Sequence, residues 1–232
     1  MSEFLFPTRP AKGIPVEGEA RNFPINRIFC VGRNYLAHAA EMGNVPDYEA
    51  PFYFTKAPTH SVLSGANVPY PPGTENYHHE MELSILIGAP AFRISQDDAE
   101  QVIYGYCASL DMTRRDLQNA SKADRRPWDT SKDFEDGAVF ATASKAEAVG
   151  AIKDQRISLS VNGETRQDAS VAELIHSVPA IVSDLSKFYH LEPGDVIMTG
   201  TPAGVSAVQA GDVLRGEISG MAPVELTILA PE

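Results

Sequence analysis

The stretch Tyr77-His78-His79-Glu80-Met81-Glu82-Leu83-Ser84-Ile85-Leu86-Ile87 predicts a β-strand with two chemically different faces. Successive side chains of a strand point to opposite faces, so Leu83 and Ile85 share one face. Glu80 and Glu82 share the other face, with their Cα atoms about 6.6 Å apart. Two carboxylates this close repel each other unless water or a hard cation lies between them. The strand therefore carries both a core-forming face and a candidate site.

Other strand signals surround this stretch and make the chain rich in β-structure. Asn162-Gly163 is a strong signal for a two-residue hairpin turn. Similar turns at 192–195 and 209–212 each lead into a further strand. Besides these, strands are predicted at 27–31, 52–55, 106–112, 157–161 and 224–229. Helices are predicted at 35–42 behind an Asn34 cap, 97–103 behind a Ser95 cap, 114–122, 170–176 and 179–189.

We predict an α+β fold that is rich in β-strands and has a few peripheral helices. Residues 1–25 contain Pro7, Pro10, Pro15 and Pro24, which exclude a helix and indicate an extended N-terminal arm. Residues 26–232 contain no tandem repeat, low-complexity segment or linker. They are therefore predicted to form a single domain.

The chain is acidic, but its charge is unevenly distributed. With 19 Lys and Arg residues against 31 Asp and Glu residues, the net charge of -12 disfavours nucleic acid and anionic membranes as partners. Residues 114–132 reverse this balance, so we expect a small anionic ligand there, the alternative being a solvated helix face. The basic residues of this segment are Arg114, Arg115, Lys122, Arg125, Arg126 and Lys132, and the acidic ones are Asp116, Asp124 and Asp129.

Nothing in the sequence predicts export or membrane insertion. The N-terminus lacks the basic and apolar regions of a signal peptide, and no apolar run approaches the roughly 20 residues of a membrane helix. Cys30 and Cys107 lie in apolar surroundings, which indicates buried thiols of a reducing compartment. We therefore expect a cytoplasmic protein.

Asp111 is the third carboxylate of a candidate metal site. It ends the apolar strand predicted at 106–112, where its charge would lie near the interior. Glu80, Glu82 and Asp111 would give a hard cation three oxygen ligands and leave three octahedral positions open, as a catalytic site requires. The alternative for the two glutamates is a solvent-facing strand edge. A zinc site at His78-His79 is disfavoured, because adjacent strand residues point to opposite faces and no other His or Cys spacing completes a tetrahedral set.

His38 and Glu41 lie three residues apart on the first predicted helix and so share one face. A carboxylate that orients an imidazole and stabilises its cation makes a general base for activating water. The alternative is an exposed pair that contributes only a few tenths of a kcal/mol to helix stability. The chain has no G-x-S-x-G motif of serine hydrolases and no glycine-rich phosphate loop.

Several motifs in a fixed order closely resemble the fumarylacetoacetate hydrolase family over about residues 26–228. They are Cys30-Val31-Gly32-Arg33-Asn34-Tyr35 with His38 and Glu41, His78-His79-Glu80-Met81-Glu82-Leu83, Leu110-Asp111-Met112-Thr113-Arg114-Arg115-Asp116-Leu117-Gln118, Pro127-Trp128 with Lys132, and Thr199-Gly200-Thr201-Pro202-Ala203-Gly204-Val205. Within this family, the stretch 41–52 is most similar to bacterial enzymes that hydrolyse fumarylpyruvate in gentisate breakdown.

The resemblance implies a rolled mixed β-sheet, a homodimer and a lid helix that carries His38 and Glu41 as the water-activating pair. It implies one divalent cation, Mg²⁺ or Mn²⁺ with Ca²⁺ as a substitute, bound by three carboxylates. It also implies that Lys132 contacts an oxyanion or the substrate. The α-keto acid end of the substrate would be held by Arg115, Gln118 and Thr201, and the metal would be held by Glu80, Glu82 and Asp111. Arg115 is preferred to its neighbour, because adjacent helix residues cannot both face the site.

The expected reaction is hydrolysis of the carbon–carbon bond of an acylpyruvate, with fumarylpyruvate giving fumarate and pyruvate. Members of one fold family catalyse different reactions, so oxaloacetate decarboxylation or another lyase or isomerase reaction on an α-keto acid is the alternative. A protein that binds a metal and a keto acid without turnover is the alternative of another class. Loss of a metal carboxylate or of the His-Glu pair would favour it, and all five residues are present.

Overall fold

The computed structural model of the chain describes residues 5–41 and 48–232. Its strands are β1 (Gly13–Ile14), β2 (Phe23–Pro24), β3 (Arg27–Gly32), β4 (Phe52–Lys56), β5 (Ser61–Leu63), β6 (Ala66–Pro69), β7 (Tyr77–His78), β8 (Met81–Ile87), β9 (Ile103–Asp111), β10 (Thr113–Arg114), β11 (Ala138–Phe140), β12 (Ser144–Lys145), β13 (Arg156–Val161), β14 (Glu164–Ser170), β15 (Asp195–Met198), β16 (Ala207–Val208), β17 (Val213–Ile218) and β18 (Val224–Leu229). The α-helices are α1 (Leu36–Glu41), α2 (Arg115–Ala123), α3 (Asp129–Lys132), α4 (Ala146–Val149) and α5 (Val178–Leu185), and 3-10 turns cover Pro58–His60, Ala99–Val102 and Val171–Glu173.

Two mixed sheets form the body of the protein. The larger has the order β4-β3-β15-β8-β9-β11-β5, with β12 also paired to β9, and the smaller has the order β14-β13-β17-β18-β6. The pairs β3–β15, β5–β11 and β6–β18 are parallel, and the other pairs of these sheets are antiparallel. A few helices lie at the periphery. The fold is thus a mixed β-sheet half-barrel, as the β-rich α+β prediction requires.

The main core fills the space between the two sheets. Leu83 and Ile85 of β8 pack in one apolar cluster with Ile157 and Leu159 of β13. Gly216 of β17 lies close to β8 of the other sheet, since a Cβ atom there would overlap the sulfur of Met81. Every residue of β8 is buried, because its second face is covered as well.

The N-terminal segment covers part of the second face of the large sheet. Ile14 and Phe23, from the two-stranded hairpin β1–β2, pack with Leu86 of β8 and with Cys30 and Cys107. Both cysteines are free and buried, as predicted. The second face is therefore apolar beneath the hairpin, and its polar end lies further along β8 and β9. The division into an arm at 1–25 and one domain at 26–232 stays a prediction.

The strand predicted over 77–87 is interrupted at His79 and Glu80. Before the break, β7 pairs with β10 and β16 in a small three-stranded sheet. After it, β8 pairs with β9 and β15 of the large sheet. The chain passes from one sheet to another here. The change depends on strand partners that are distant in the sequence, so the local alternation of side chains does not reveal it. Within the described residues, no helix is long and apolar enough to cross a membrane.

Four predicted helices differ from the observed ones, and the one predicted at 179–189 is α5, which ends at Leu185. Behind Ser95 the chain forms a 3-10 turn and then enters β9 at Ile103, and behind Ser170 a capping box with Glu173 leads only into another 3-10 turn. The first helix begins at Leu36, and its predicted end at residue 42 lies outside the described residues. The side chain of Asn34 bonds to the backbone of His176 and Thr199, so it joins distant loops.

Several other predictions are confirmed closely. The hairpin between β13 and β14 turns at Asn162-Gly163, where both residues have positive φ angles as a type I′ turn requires. The helix predicted at 114–122 is α2, shifted by one residue, and the last predicted strand coincides with β18. Local turn chemistry and side-chain periodicity were sufficient for these elements.

Candidate active site

Three carboxylates meet where β8 and β9 reach the polar end of the large sheet. The register pairs Glu82 with Ser109, and the backbone N–H of Asp111 donates to the carbonyl of Glu80 at 2.9 Å. Glu80, Glu82 and Asp111 therefore share one face, with ligand oxygens within 4.8 Å of one another. Each residue is at most 4% exposed, so the alternative of a solvent-facing edge is wrong.

Glu82 is oriented by the loop that follows β15. The backbone N–H of Gly200 donates to its Oε2 atom at 2.8 Å. Gly200 has a φ angle of 99°, and a Cβ atom there would crowd Asn34 and the carbonyl of Val31. Glycine is the residue that adopts this conformation without strain while its backbone approaches so closely.

Two lysines lie against the carboxylates. The Nζ atom of Lys132 lies 2.7 Å from oxygens of Glu80, Asp111 and Thr113. Lys56 is also buried, and its Nζ atom lies 2.8 Å from Oδ1 of Asp111. Lys56 further donates to the carbonyls of neighbouring loops, which fixes its ammonium group in place. These cations compensate part of the buried negative charge.

The compensation is uneven, and this bears on cation binding. Burial, together with the charges of Asp111 and Glu80, raises the pKa of Glu82 well above its ordinary value. Burial also acts against ionisation of Glu80, but the charges of Lys132 and Arg115 outweigh it and lower the pKa of that carboxyl. Among the residues that the structure describes, Glu82 is thus the carboxylate of the three that has no ion pair with a cation. A hard divalent ion among the three would supply one, and the all-oxygen donor set is the kind such ions prefer.

His38 and Glu41 of α1 form the second part of the site. Nδ1 of His38 lies 3.1 Å from Oε2 of Glu41, and the backbone N–H of Gly204 donates to the same carboxylate at 3.1 Å. The imidazole is buried, and burial lowers the pKa of His38 although Glu80 and Glu41 act to raise it. A neutral imidazole that is hydrogen-bonded to a carboxylate can accept a proton from water.

Helix α2 presents two buried polar side chains to the carboxylates. Arg115 contacts Glu80 through one guanidinium nitrogen and the amide oxygen of Gln118 through another. Arg114 points elsewhere, with its guanidinium 4.4 Å from the centre of the Phe134 ring. The structure thus places Arg115, and not Arg114, beside the candidate metal ligands. Thr201 reaches the same space from the loop after β15.

A cavity of about 30 Å³ connects these groups and has room for one or two water molecules. It shares Arg33, Phe54, Lys122, Trp128 and Lys132 with a larger cavity of about 580 Å³ that opens beside it. Eight of the nine predicted site residues line the smaller cavity, namely His38, Glu80, Glu82, Asp111, Arg115, Gln118, Lys132 and Thr201. Glu41, the ninth, contacts His38. The predicted residues therefore converge on one place.

Gln167 is a residue of this region that the sequence alone does not reveal. Its amide oxygen lies 3.0 Å from Nδ1 of His79 and accepts from the N–H of Met81, and its amide nitrogen donates to Thr201 at 2.8 Å. His79 is packed in this way rather than free to bind zinc, since its Nε2 atom lies 2.9 Å from Ser206. A buried glutamine on a hairpin strand gives no local sequence signal. The structure also pairs Lys56 with Asp111.

Comparisons with known proteins relate the chain to one family. Residues 27–229 match the family model for the C-terminal domain of fumarylacetoacetate hydrolase. The chain is 52% identical to a fumarylpyruvate hydrolase of a Ralstonia species over 78% of this chain and 93% of that one. It is 36% identical to the oxaloacetate tautomerase YcgM of Escherichia coli over 88% and 93% of the two chains. The crystal structure of a fumarylpyruvate hydrolase from Pseudomonas aeruginosa, in complex with Mn²⁺ and pyruvate, superposes with a TM-score of 0.94 at 40% identity and covers 98% of this chain and 99% of that one.

Proposed function

The chain belongs to the fumarylacetoacetate hydrolase family, and from that premise we propose that it hydrolyses acylpyruvates, with fumarylpyruvate as the main substrate. The observation that carries the proposal is the meeting of a buried carboxylate triad with the His38–Glu41 pair around one cavity. A metal site without a base would suit binding alone. A base beside a metal site suits the attack of water on a carbonyl.

Glu80, Glu82 and Asp111 are the proposed ligands of one divalent cation, Mg²⁺ or Mn²⁺, for which Ca²⁺ can substitute. When bound, such an ion polarises a keto oxygen and stabilises negative charge that develops on it. The structural relative with Mn²⁺ and pyruvate supports this assignment. Arg115, Gln118 and Thr201 are the proposed ligands of the keto acid carboxylate, with Arg115 turning from Glu80 to the substrate.

His38 is the proposed general base. It takes a proton from water as the water oxygen attacks the carbonyl of the acyl group, and Glu41 stabilises the imidazolium that forms. Lys132, held between Glu80 and Asp111, faces the negative charge that develops on the attacked oxygen. The bond between the acyl carbon and the pyruvyl methylene then breaks. The hydroxyl oxygen remains on the new carboxylic acid, and a proton completes the methyl group of pyruvate.

Keto–enol tautomerisation of oxaloacetate is the second candidate, favoured by the 36% identity to an oxaloacetate tautomerase over most of both chains. It needs proton transfer at a carbon atom but no attacking water. Decarboxylation of oxaloacetate and binding without turnover are the remaining alternatives. A homodimer and a cytoplasmic location stay predictions, and the proposed partner is a small anionic keto acid.

The test is a side-by-side assay of the purified protein with fumarylpyruvate, acetylpyruvate and oxaloacetate at saturating Mg²⁺ or Mn²⁺. Pyruvate release and the loss of the enol absorbance of oxaloacetate are followed separately. We expect kcat/KM for at least one acylpyruvate to exceed that for both reactions of oxaloacetate. A larger kcat/KM for oxaloacetate would overturn the hydrolase assignment but would not affect the assignment of the metal site.

A further inference from the structure

The larger cavity has an excess of positive charge that the proposed chemistry at the carboxylates does not use. Among the described residues, four basic side chains besides Lys132 line it, and Asp129 is the one acidic residue of this lining. Arg126 is paired with Asp124 outside the lining. Within the part of the chain that the structure describes, Arg33 and Lys122 have no ion pair with a carboxylate. In a protein of net charge -12, unpaired cations at one cavity indicate an anionic ligand.

Arg33 and Lys122 converge on one aromatic ring. The guanidinium of Arg33 lies 5.6 Å from the centre of the Trp128 ring, and the ammonium group of Lys122 lies 5.4 Å from it. Arg33 also lies 5.8 Å from the ring of Phe52. Contacts with aromatic faces orient both cations but do not neutralise them. An anion placed between the two would relieve their mutual repulsion.

The backbone and the electrostatics of these two residues support this interpretation. Arg33 has a φ angle of 60°, in the left-handed region that few residues with a side chain adopt, and such strain clusters at ligand sites. Burial, together with the charges of Arg115 and Arg33, lowers the pKa of Lys122 to about 8. The ammonium group thus lies in a partly dry, positively charged environment that favours binding of a counter-ion.

Helix α2 gives the distance between the two ends of the ligand. Arg115, Gln118 and Lys122 follow each other at spacings of three and four residues, so they lie along one face of the helix. The Cα atoms of Arg115 and Lys122 are separated by about 10 Å, seven residues at 1.5 Å each. An extended fumarylpyruvate has six carbon–carbon bonds, which place its two carboxyl carbons about 7.5 Å apart. Side chains that converge from the helix can therefore hold both ends.

We infer that Arg33 and Lys122, beside Trp128, bind the carboxylate at the far end of the acyl chain and so select dianionic acylpyruvates over those with an uncharged acyl group. The inference rests on the proposed function, because it names the residues that bind the far end of the same substrate. It adds a specificity site that is distinct from the groups that bind the keto acid. Arg125 lines the same cavity and adds to its positive potential.

The kinetic test compares fumarylpyruvate with acetylpyruvate, which lacks the far carboxylate. Loss of one charge-assisted hydrogen bond corresponds to roughly ten- to hundredfold in affinity. We expect Arg33→Gln and Lys122→Gln each to raise KM for fumarylpyruvate by about this factor and to leave KM for acetylpyruvate unchanged. Arg93→Gln is the matched control, because Arg93 also has a left-handed backbone (φ 54°) and lies over an aromatic ring, that of Phe92, but outside both cavities.

A binding test separates this inference from the proposed function. Trp128 is the single tryptophan of the chain, so its fluorescence reports on this cavity without turnover. Fumarate and crotonate, which differ by one carboxylate, are titrated into the Mg²⁺-loaded protein. We expect fumarate to bind more tightly than crotonate in the wild type and in Arg93→Gln, and the difference to disappear in Lys122→Gln.

If the wild type hydrolyses neither acylpyruvate, the proposed function fails, while the titration still shows whether the site binds the second carboxylate. Equal binding of fumarate and crotonate, or equal effects of the substitutions on both substrates, would overturn the inference.

Discussion

Replacing Glu41 with Gln tests whether His38 acts as the general base. The substitution keeps the size of the side chain and an oxygen for the N–H of Gly204, but removes the charge that lies 3.1 Å from the imidazole. A hydrogen bond to a charged group contributes about 1.5–3 kcal/mol, which is roughly ten- to hundredfold in rate if it is made to the imidazolium in the transition state. Glu41 is about one-third exposed, so we expect the lower half of this range.

The pH profile gives the more specific result. His38 must be neutral to accept a proton, so kcat/KM rises with pH as the imidazole loses its proton. Burial already lowers the pKa of His38, while its hydrogen bond to the Glu41 carboxylate raises that pKa. Removing that charge lowers the pKa further, and the rising limb of the profile therefore moves to lower pH in Glu41→Gln. The plateau rate falls at the same time.

The measurement is kcat/KM for fumarylpyruvate from pH 5 to 8 at saturating Mg²⁺. Glu100→Gln is the control, since Glu100 is exposed on a 3-10 turn remote from the cavity residues. If the rising limb of the pH profile of Glu41→Gln stays in place or moves to higher pH, Glu41 does not stabilise the imidazolium of His38. An unchanged plateau rate would refute the role of the pair.

Four further outcomes follow from the geometry. Glu82→Gln should abolish Mn²⁺ binding, measured by electron paramagnetic resonance, because it removes the carboxylate that has no close cation. Arg115→Ala should raise KM for every α-keto acid and leave Mn²⁺ affinity nearly unchanged, whereas Arg114→Ala should leave KM unchanged. Gln167→Ala should destabilise the fold by roughly 1–3 kcal/mol in urea unfolding, because it leaves a buried N–H of β8 without its acceptor. In the wild type, KM for fumarylpyruvate should rise above about pH 8 as Lys122 loses its proton, while KM for acetylpyruvate stays constant.

The family and its β-rich fold could be predicted from the sequence, and both are confirmed. The carboxylate triad could be predicted because Glu82 lies on β8, Glu80 directly precedes that strand, and Asp111 ends β9. Glu82 follows from the pattern of β8 and Asp111 from the end of β9, and antiparallel pairing of these two neighbours brings them together. The assigned roles of the site residues remain proposals.

Residues that support the site could not be predicted in the same way. Gln167 contacts Met81 from 86 positions away in the sequence, and Gly200 contacts Glu82 from 118 positions away. Such contacts depend on how distant loops return to the sheet. They leave no periodic pattern, and a buried glutamine or a glycine has the same local signal at a site as elsewhere. The break of the predicted strand at His79 has the same cause.

The loop after β15 shows why these long-range contacts matter for function. Its first glycine, Gly200, donates to the metal-ligand candidate Glu82, and its second, Gly204, donates to Glu41 of the base pair. Thr201, between them, reaches the cavity and is held by Gln167. One short loop thus sets the position of the proposed base relative to the proposed metal ligands. Misplacement of a reacting group by about 1 Å can lower the rate a hundredfold. A displacement of this loop is therefore expected to lower the rate of hydrolysis more than the affinity for the cation.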